Sequence, residues 1–583
     1  MSRVTQLKRA SPAKLFLRRS RSALFAIGLF SCFINLLMLT GSFFMLQVYD
    51  RVLPSRSAST LIALGALVTG LYVFQGLLEA TRSRIFVRLA RSFDLDVSRT
   101  VVGALFETSR ASRINGDGLQ SLRDLDQVRS FLSSAGPAAL FDLPWMPLYL
   151  GLCFAFHVWI GVAALIGAIV LMLLTAASGA LTSRPTKATV IAGTARFGFA
   201  GMGVRHAETL HALGMTNRVI ARWQERNLAY LNAHQDAADI LAGFGATGRA
   251  FRMLLQSAIL GLGAFLVIHQ EATAGVIIAS SILTARALAP VELTIAHWKG
   301  LLAARQGWLS LQAMLAHHEA LTRTPILLPP PKATLSLEGV TVRPPGDPKA
   351  VVAGVSFTLR AGQGLGIIGP SGSGKSSLAR AIVGVWPAFR GSVRLDEASI
   401  DQWSNEELGR HIGYVPQAVD LLAGTIAENI ARFRDGVDDK MVIDAAKAAG
   451  VHEMIVRLPS GYNTVIGEGG VGLSAGQRQR IGLARALFGS PWLVVLDEPN
   501  SNLDAEGEQA LTQAILQVRQ REGIVIVIAH RPSALVAVDH ILALSEGIVQ
   551  AFGPKETVLK RITRQPASVA PSGLKVVDAG AAS

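Results

Sequence analysis

The feature that most limits how this chain can fold is a run without any charged residue, from residue 22 to residue 49. A helix of about 20 apolar residues is long enough to cross a lipid bilayer. The apolar part of a cleaved signal peptide is shorter, typically about 7–15 residues. The run is therefore predicted to be a membrane-spanning anchor that stays in the protein.

The segment that leads into this run, residues 1–22, is strongly basic. It contains no acidic residue, and its basic residues are Arg3, Lys8, Arg9, Lys14, Arg18, Arg19 and Arg21. Basic residues beside a span favour the cytoplasmic side of the membrane. The net charge of +15 is therefore interpreted as an orientation signal with a cytoplasmic N-terminus, and not as a surface for nucleic acid.

Five further apolar segments follow, which predicts six spans in a helical membrane domain of residues 23–323. The segments are approximately 59–79, 142–157, 158–178, 252–269 and 274–291. Only "HVW" separates the third span from the fourth, which predicts a tight hairpin. The connections after the second and fourth spans are long, charged and helical in pattern, and the orientation of the first span places them in the cytosol.

The composition changes in the second half of the chain. Residues 324–334 are predicted to be a linker, because their triple proline cannot continue a helix. Residues 335–562 alternate helical stretches with apolar strands such as "WLVVLDEP" and "GIVIVIAH", which predicts an α/β domain with a mostly parallel, buried sheet. Residues 563–583 are small and polar, and they are predicted to be disordered.

The α/β domain contains "GPSGSGKSS", which matches G-x-x-x-x-G-K-[ST] between a predicted strand and a predicted helix. In such a P-loop the backbone N–H groups close around phosphate oxygens, and the helix N-terminus adds positive potential. Lys375 is expected to reach the terminal phosphates, and Ser376 to offer a hydroxyl to Mg²⁺. The alternative is a flexible Gly/Ser loop. The predicted phosphate-binding residues are Gly369, Pro370, Ser371, Gly372, Ser373, Gly374, Lys375, Ser376 and Ser377.

Two later strands end in polar residues. "LVVLDEP" ends in Asp497, which can hold Mg²⁺, and Glu498, which can polarise an attacking water. The alternative is a solvated strand end before a turn. "VIAH" ends in His530, which could contact the γ-phosphate or be purely structural. The P-loop upstream favours the functional interpretation of both strand ends.

A third motif, "LSAGQ" at residues 473–477, contains no nucleophile, acid–base pair or metal ligand set. Its Ser474 and Gly476 stand at the start of a predicted helix, where an anion can bind. The P-loop of the same chain already has a helix of its own, so the motif suits a phosphate held elsewhere.

Together and in this order, "GPSGSGKSS", "YVPQ", "LSAGQ", "LVVLDEP", "SNLD" and His530 resemble the ATPase domain of ABC transporters over nearly all of residues 335–560. The resemblance implies that ATP and Mg²⁺ bind here. It implies that Gln417 senses the γ-phosphate and joins Ser376 and Asp497 in holding Mg²⁺. It also implies that Glu498 is the general base and that His530 is a switch.

The same resemblance implies a homodimer with ATP at its interface. Ser474, Gly476 and Gln477 would cap the γ-phosphate of ATP held by the other subunit, and Asp504 would belong to the dimer contact. The sequence departs from the family pattern at two points. Ala475 stands where Gly is usual, and near Pro344 there is no aromatic residue to stack on adenine. Arg343 or the proline ring could substitute, and modest base selectivity is expected.

The membrane half of the chain resembles one particular group of ABC transporters. It resembles the permease-ATPases of type I protein secretion, of the alkaline-protease exporter kind, in "MLQVYDRVLPSRS", "LRDLDQVRSFLSS", "LFDLPWMPLYL", "ETLHALGM" and "RALAPVELTIAHWK". The residues allow simpler interpretations beside it. In "DLPW", Asp142 is expected to cap a helix whose first turn contains Pro144. The charged residues of 123–129 could form a solvated helical face. Arg286, near the end of the last span, could be functional or could extend to the interface.

The implied protein is an exporter of the bacterial inner membrane, with its ATPase domain in the cytoplasm. It would export unfolded or partly folded proteins that carry an uncleaved C-terminal signal, since about 22 residues before the first span leave no room for a leader peptidase domain. Its partners would be membrane lipid, a periplasmic adaptor and an outer-membrane channel. The alternatives are an exporter of lipid, drug or peptide and a non-transporting ABC ATPase, which six fused spans argue against.

Overall fold

Long helices form the first part of the chain and a sheet-centred unit forms the second. The computed structural model describes residues 16, 18–111, 119–321, 328–467, 470, 472–529 and 531–564. They fall into two compact units, of which the first ends at residue 321 and the second holds residues 110–111 and those from 328 onward. Most of the basic N-terminal segment, the first part of the predicted linker, His530 and the predicted disordered tail from residue 565 onward lie outside the described residues. Residues 563–564, which were also predicted to be disordered, belong to the last helix.

The first unit consists of helices. They are α1 (Arg21–Leu37), α2 (Thr40–Gln47), α3 (Ala58–Ala111), α4 (Gln120–Leu132), α5 (Gly136–Asp142), α6 (Met146–Phe156), α7 (Val158–Arg205), α8 (Ala207–Ala212), α9 (Thr216–Ile268), α10 (Ala274–Ala296) and α11 (Trp298–Leu321). Short helical turns at 48–55 and 143–145 join α2 to α3 and α5 to α6.

Six helical segments of this unit are long and apolar enough to cross a membrane, counted over the described ranges by length and composition. They are Arg21–Ser55, Ala58–Arg110, Gly136–Phe156, Val158–Arg205, Thr216–Ile268 and Ala274–Ala296. A helix satisfies its own backbone hydrogen bonds, which a lipid core requires. The prediction of six spans is confirmed.

Three of these helices are far longer than a bilayer requires. α3, α7 and α9 contain 54, 48 and 53 residues. At 1.5 Å per residue each is about 70–80 Å long, whereas the hydrocarbon core is about 30 Å thick. The long connections predicted from the sequence are therefore largely continuations of the spans themselves.

The hairpin between the third and fourth spans breaks at one residue, as predicted. α6 ends at Phe156 and α7 begins at Val158. Between them His157 has an extended backbone (φ −165°, ψ 141°), and its Nδ1 accepts a hydrogen bond from the backbone N–H of Trp159 at 3.2 Å. A capped helix start thus follows directly on a helix end.

The prediction that Asp142 caps a helix is wrong, although Pro144 does lie in the first turn that follows. Asp142 has a helical backbone (φ −89°, ψ −19°) and makes no capping bond, whereas an N-cap residue needs an extended backbone. Its buried carboxylate instead accepts hydrogen bonds from the Arg82 guanidinium and the Asn35 amide, both at 2.8 Å.

This ion pair is the centre of a buried polar cluster that joins four helices. Arg82 of α3 also donates to the Ser31 hydroxyl of α1 at 2.9 Å. The Tyr149 hydroxyl of α6 donates to the backbone carbonyl of Asn35 at 2.8 Å. All five residues are buried. Removing one partner of a buried ion pair leaves an uncompensated charge, which costs about 3–5 kcal/mol.

Asp142→Asn is therefore expected to destabilise the membrane domain by about 3–5 kcal/mol. Thermal unfolding of the purified protein in detergent measures the loss as a lower Tm. The matched control is Asp126→Asn, because Asp126 pairs with Arg129 at 2.7 Å on the surface, with 58% of its side chain exposed. Such a pair contributes about 0–1 kcal/mol. Equal Tm values for the two variants would contradict the conclusion that Asp142 stabilises the membrane domain through a buried ion pair.

The interpretation of the 123–129 segment as a solvated face fails at one residue. Asp124 is buried, and its carboxylate accepts a hydrogen bond from Gln120 at 2.8 Å. α11 approaches the backbone there so closely that a Cβ on Gly307 would lie 2.9 Å from the Asp124 carbonyl oxygen. Arg286 lies in the middle of α10, not near its end, because the helix continues to Ala296.

The second unit is built on a six-stranded sheet. The strands of the unit are β1 (Thr334–Val342), β2 (Val352–Arg360), β3 (Gly364–Ile368), β4 (Arg390–Leu395), β5 (Ala398–Ser399), β6 (Ile412–Val415), β7 (Gly424–Thr425), β8 (Val465–Ile466), β9 (Leu493–Asp497), β10 (Ile524–Ile528), β11 (His540–Ser545) and β12 (Ile548–Pro554). The six-stranded sheet has the order β12-β11-β3-β10-β9-β6 and is parallel except for β12. The predicted mostly parallel sheet is confirmed.

Helices cover this sheet and leave its central strands completely buried. They are α12 (Lys375–Ile382), α13 (Asn405–His411), α14 (Ile426–Ile430), α15 (Asp439–Ala448), α16 (His452–Val456), α17 (Ala475–Leu487), α18 (Ala505–Gln520) and α19 (Lys555–Arg564). Every residue of β9 and β10 is buried, as expected for parallel strands covered on both faces. An additional antiparallel sheet, β2-β1-β4-β5, was not predicted from the sequence.

Candidate nucleotide site

Four neighbouring parallel strands bring most of the predicted site residues to one edge of the sheet. In the order β3-β10-β9-β6, each strand is paired in parallel with the next. The P-loop follows β3, Asp497 ends β9, and Gln417 lies two residues beyond β6 and is exposed. In sheets of this kind, ligands bind outside the carboxyl ends of the strands. His530, two residues beyond β10, lies outside the described residues.

The P-loop requires glycine at two positions. Gly374, just before α12, has φ 93°, and a Cβ there would lie 2.6 Å from Val352 Cγ2. A Cβ on Gly369 would lie 2.0 Å from the carbonyl oxygen of Leu544. Since the surrounding backbone leaves no space for a side chain, the loop is held tightly against its own domain.

Lys375 lies folded back over the loop. Its Nζ donates to the carbonyl oxygens of Gly369 at 2.9 Å and Pro370 at 2.8 Å, and the residue is buried. Burial lowers the pKa of the ammonium, and the nearby carboxylates of Glu498 and Asp497 partly offset this. Because an ammonium has three protons, one donor remains for an anion at the start of α12.

Asp497 and Ser376 form the part of the site that suits a divalent cation. The Ser376 hydroxyl donates to Asp497 Oδ1 at 3.1 Å. Asp497 is completely buried, and its Oδ2 has no hydrogen-bond partner within the described structure. Burial raises the pKa of this carboxyl, and the Ser376 hydrogen bond opposes the rise. Carboxylate and hydroxyl oxygens are hard ligands that Mg²⁺ accepts, so these residues fit the ion.

Glu498 leaves the strand in a strained conformation. Its φ of 49° is left-handed, and its backbone N–H donates to the carbonyl oxygen of Ile528 at 3.0 Å. Such a conformation costs roughly 1–3 kcal/mol in a residue other than glycine, and residues of this kind cluster at functional sites. The turn leaves Glu498 partly exposed while its neighbour Asp497 stays buried.

The "LSAGQ" segment forms a capped helix start. Ser474 Oγ accepts a hydrogen bond from the backbone N–H of Gln477 at 3.2 Å, and Gln477 Oε1 accepts one from the backbone N–H of Ser474 at 2.8 Å. A Cβ on Gly476 would lie 2.8 Å from the Asn502 carbonyl oxygen, so glycine is needed there. Ala475 is the first helical residue, does not have a positive φ, and is exposed. Its backbone therefore accepts the alanine methyl group.

Two further predicted residues already have partners in this chain. Asp504 caps α18 by accepting a hydrogen bond from the Gly507 backbone N–H at 2.9 Å, and it pairs with Arg480. These contacts, the Gly507 hydrogen bond most of all, lower the pKa of its carboxyl. Arg343 lies over the Phe389 ring with its guanidinium carbon 4.4 Å from the ring centroid.

Gln479, which is not among the predicted site residues, joins α17 to the segment after β9. Its side-chain amide donates to the carbonyl oxygens of Glu498, at 3.2 Å, and Pro499. Its side-chain oxygen accepts from the Asn502 backbone N–H at 3.2 Å. Gln479 is buried, and from these bonds we infer that it positions the backbone at Glu498. The only signal in the sequence is its place two residues after "LSAGQ".

Gln479→Leu is expected to lower kcat for ATP hydrolysis at least about tenfold while nucleotide affinity changes little, because even a 1 Å displacement of a reacting group can cost roughly a hundredfold in rate. ATPase kinetics and a nucleotide-binding titration measure the two effects separately. Gln513→Leu, on the exposed side of α18, is the matched control. An unchanged kcat, or an equal loss of affinity and rate, would show that Gln479 does not position Glu498.

Comparisons with known proteins match the same family in both halves of the chain. The family described as "ABC transporter transmembrane region" matches residues 24–290, and the family described as "ABC transporter" matches residues 352–501. The chain is 54% identical to the Type I secretion system ATP-binding protein PrsD of Rhizobium meliloti (strain 1021), over 98% of each chain. It is 28% identical to the Alpha-hemolysin translocation ATP-binding protein HlyB of Escherichia coli, over 91% of this chain and 75% of HlyB.

A solved structure has the same fold. A bacterial Atm1-family ABC exporter with ATP bound matches with a TM-score of 0.80 and 22% sequence identity, over 93% of this chain and 96% of that chain. At this level of identity the likeness concerns the fold alone. It agrees with six spans joined to a P-loop ATPase domain.

Proposed function

The chain belongs to the ABC transporter family, with a membrane region and an ATPase domain, and from this premise we propose that it exports proteins by type I secretion. The substrates are unfolded or partly folded proteins with a C-terminal secretion signal, which cross the bacterial inner membrane. The observation that carries the proposal is the 54% identity to PrsD over 98% of each chain.

The residues of the candidate site are proposed to hold and cleave ATP as follows. The P-loop backbone and Lys375 bind the phosphates, and Ser376, Asp497 and Gln417 are the residues that would hold Mg²⁺. When bound, that ion supplies positive charge beside the phosphate oxygens. Glu498 accepts the proton of the water that attacks the γ-phosphorus, the bond to ADP breaks, and inorganic phosphate leaves. His530 is proposed to contact the γ-phosphate.

Two copies of the chain are proposed to complete each site. The P-loop already has the N-terminus of α12, whereas the start of α17 is exposed at Ser474 and has no phosphate loop of its own. A helix N-terminus attracts anions. We place Ser474, Gly476 and Gln477 against the γ-phosphate bound by the partner subunit, with Asp504 at the same interface.

ATPase activity is therefore expected to require dimers. Specific activity should fall steeply on dilution below the dimer dissociation constant, because each hydrolytic site needs both subunits. A dilution series read by ATP turnover and light scattering tests this. As a check, mixing inactive Lys375→Ala and Ser474→Arg chains should restore activity through heterodimers with one intact site. A monomer with full activity would refute the composite site.

The proposed cellular location and the proposed partners follow from the same function. The N-terminus and the ATPase domain lie in the cytoplasm, and the six spans lie in the lipid of the inner membrane. A periplasmic adaptor and an outer-membrane channel carry the exported protein onward. Nucleic acid has no part in this function.

Deleting the gene tests the function directly. The medium should lose one or a few proteins, which then accumulate in the cell, and mass spectrometry of both fractions identifies them. The wild-type gene should restore export, and a gene carrying Glu498→Gln should not. An unchanged set of secreted proteins together with altered lipid export or drug resistance would favour the alternative of a lipid, drug or peptide exporter.

A further inference from the structure

Arg432 connects three segments of the second unit through a single guanidinium group. Its Nε donates to the carbonyl oxygen of Arg485 and its Nη2 to that of Ala486, both at 2.9 Å. Its Nη1 donates to the carbonyl oxygens of Ile412, at 3.2 Å, and Gly409. Arg485 and Ala486 lie in the last turn of α17, Ile412 begins β6, and Gly409 lies in α13. The side chain therefore joins the end of α17 to the start of β6.

These hydrogen bonds complete the C-terminal end of α17. The last four carbonyl groups of a helix have no partner within the helix. In α17, the carbonyl of Ala484 accepts from the Phe488 backbone N–H at 3.0 Å, and that of Leu487 accepts from the Ser490 backbone N–H at 3.1 Å. Arg432 donates to the other two. All four carbonyl groups thus have partners, and one side chain supplies two of them.

Two features of Arg432 are unfavourable in themselves. Arg432 and the next residue, Phe433, have left-handed backbones with φ of 57° and 53°, which costs roughly 1–3 kcal/mol each in residues other than glycine. Burial and the nearby guanidinium groups of Arg434 and Arg485 lower the pKa of Arg432 to about 10. In the described part of the chain, no carboxylate forms an ion pair with it. A glycine would avoid both costs, so the side chain contributes through its four hydrogen bonds.

The segment around Gln417 is also packed closely against α17. A Cβ on Gly413 of β6 would lie 2.2 Å from the carbonyl oxygen of Ala486, and a Cβ on Gly482 of α17 would lie 2.6 Å from Val419 Cγ1. Neither glycine has a positive φ, so the close approach of the two segments is what requires glycine. Gln417 lies between these two contacts in the chain. Its backbone and α17 therefore form one packed body.

The other end of α17 belongs to the second proposed site. The helix has 13 residues and is about 20 Å long at 1.5 Å per residue, so a rotation of about 3° about the end bound by Arg432 would move Ser474 by about 1 Å. We propose that Arg432 is a positioning residue for ATP hydrolysis, which fixes Gln417 in the site of its own chain and Ser474 against the γ-phosphate of the partner. The part played by Ser474 rests on the proposed function, since it requires the composite site.

Kinetics of the full-length protein in detergent test this role. Arg432→Met should lower kcat for ATP hydrolysis at least about tenfold, because a displacement of 1 Å can cost roughly a hundredfold in rate. The affinity for ADP, which lacks the γ-phosphate, should change less than about twofold, equivalent to about 0.4 kcal/mol. Arg434→Met, at an exposed position two residues later, is the matched control and should keep the wild-type kcat. An unchanged kcat, or an equal loss of ADP affinity, would overturn the proposal.

A purely structural cap of α17 is the competing role, and Arg432→Lys separates the two. Lysine keeps the positive charge and the length, but its ammonium lacks the planar fork of donors with which arginine reaches both α17 and β6. We expect this variant to fold, as thermal unfolding measures, and to lose kcat at least about tenfold. A lower Tm with a wild-type kcat would show that Arg432 only stabilises the domain. Wild-type values of both would show that a positive charge is sufficient.

Mixed dimers test the two routes separately. The reference mixture contains Lys375→Ala and Ser474→Arg chains, which together form one intact site. Arg432→Lys added to the Lys375→Ala chain acts only through Ser474, and added to the Ser474→Arg chain it acts through Gln417. Each addition should lower turnover at least about tenfold, and a loss in one arrangement alone, or in neither, would overturn the proposal. An inactive reference mixture would defeat the composite site of the proposed function. An active one that Arg432→Lys leaves unchanged would defeat this inference alone.

Discussion

Replacing Glu498 by Gln is expected to stop ATP turnover while nucleotide still binds. Gln has the same shape but cannot accept the proton of the attacking water, and loss of a general base lowers rates by about 10²–10⁴-fold. The residues that hold the phosphates, Lys375 and the P-loop, are unchanged. Bound ATP should therefore accumulate and stabilise the dimer. Single-turnover hydrolysis measures the rate, and size-exclusion chromatography with ATP measures the dimer.

Glu506→Gln is the matched control, because Glu506 is an exposed acid in the first turn of α18. It should leave kcat close to the wild-type value. Hydrolysis by Glu498→Gln at a near-normal rate would defeat the general-base assignment. Loss of ATP binding in this variant would instead show that the Glu498 carboxylate is needed to bind nucleotide.

Replacing Lys375 by Ala is expected to weaken nucleotide binding by roughly 10- to 100-fold, since a hydrogen bond to a charged group contributes about 1.5–3 kcal/mol. The ammonium is held over the loop by its bonds to Gly369 and Pro370. A phosphate oxygen would take its remaining proton. Titration with a fluorescent ATP analogue measures the dissociation constant.

Lys349→Ala, at an exposed position in the same domain, controls for the loss of one positive charge. It should bind nucleotide as the wild type does. Because the two bonds of Lys375 also hold the loop, thermal unfolding without nucleotide should accompany the titration. Unchanged affinity in a folded Lys375→Ala variant would remove this residue from the phosphate site.

The membrane half shows where prediction from residues reaches its limit. Asp142 before Leu143 and Pro144 has the local pattern of a helix cap, and the capping prediction was wrong. The carboxylate pairs with Arg82, which is 60 residues away in the chain. Nothing near Asp142 in the sequence indicates that a guanidinium from another span lies beside it. In the same way, nothing in the sequence separates Asp124, which is buried, from its exposed neighbour Asp126.

The nucleotide site was easier to predict, since short motifs carry most of it. Local sequence indicates the glycines of the P-loop and the carboxylates at the end of β9. The parallel order of the strands then brings these segments to one edge. Gln479 was missed because its role depends on the approach of Pro499, 20 residues away. The assignments of Glu498, Gln417, Asp504 and the "LSAGQ" residues to catalysis and binding stay predictions for the experiments above.

By itself, the sequence determined the six spans, the orientation signal, the α/β ATPase domain and the order of its motifs. These depend on composition and on residues close together in the chain, which act before any tertiary contact forms. Only the tertiary structure decided that Arg82 and Asp142 neutralise each other and that the buried Gln479 bonds to the backbone carbonyl of Glu498. The physical reason is that a buried charge or hydroxyl takes its role from the partners that packing places beside it.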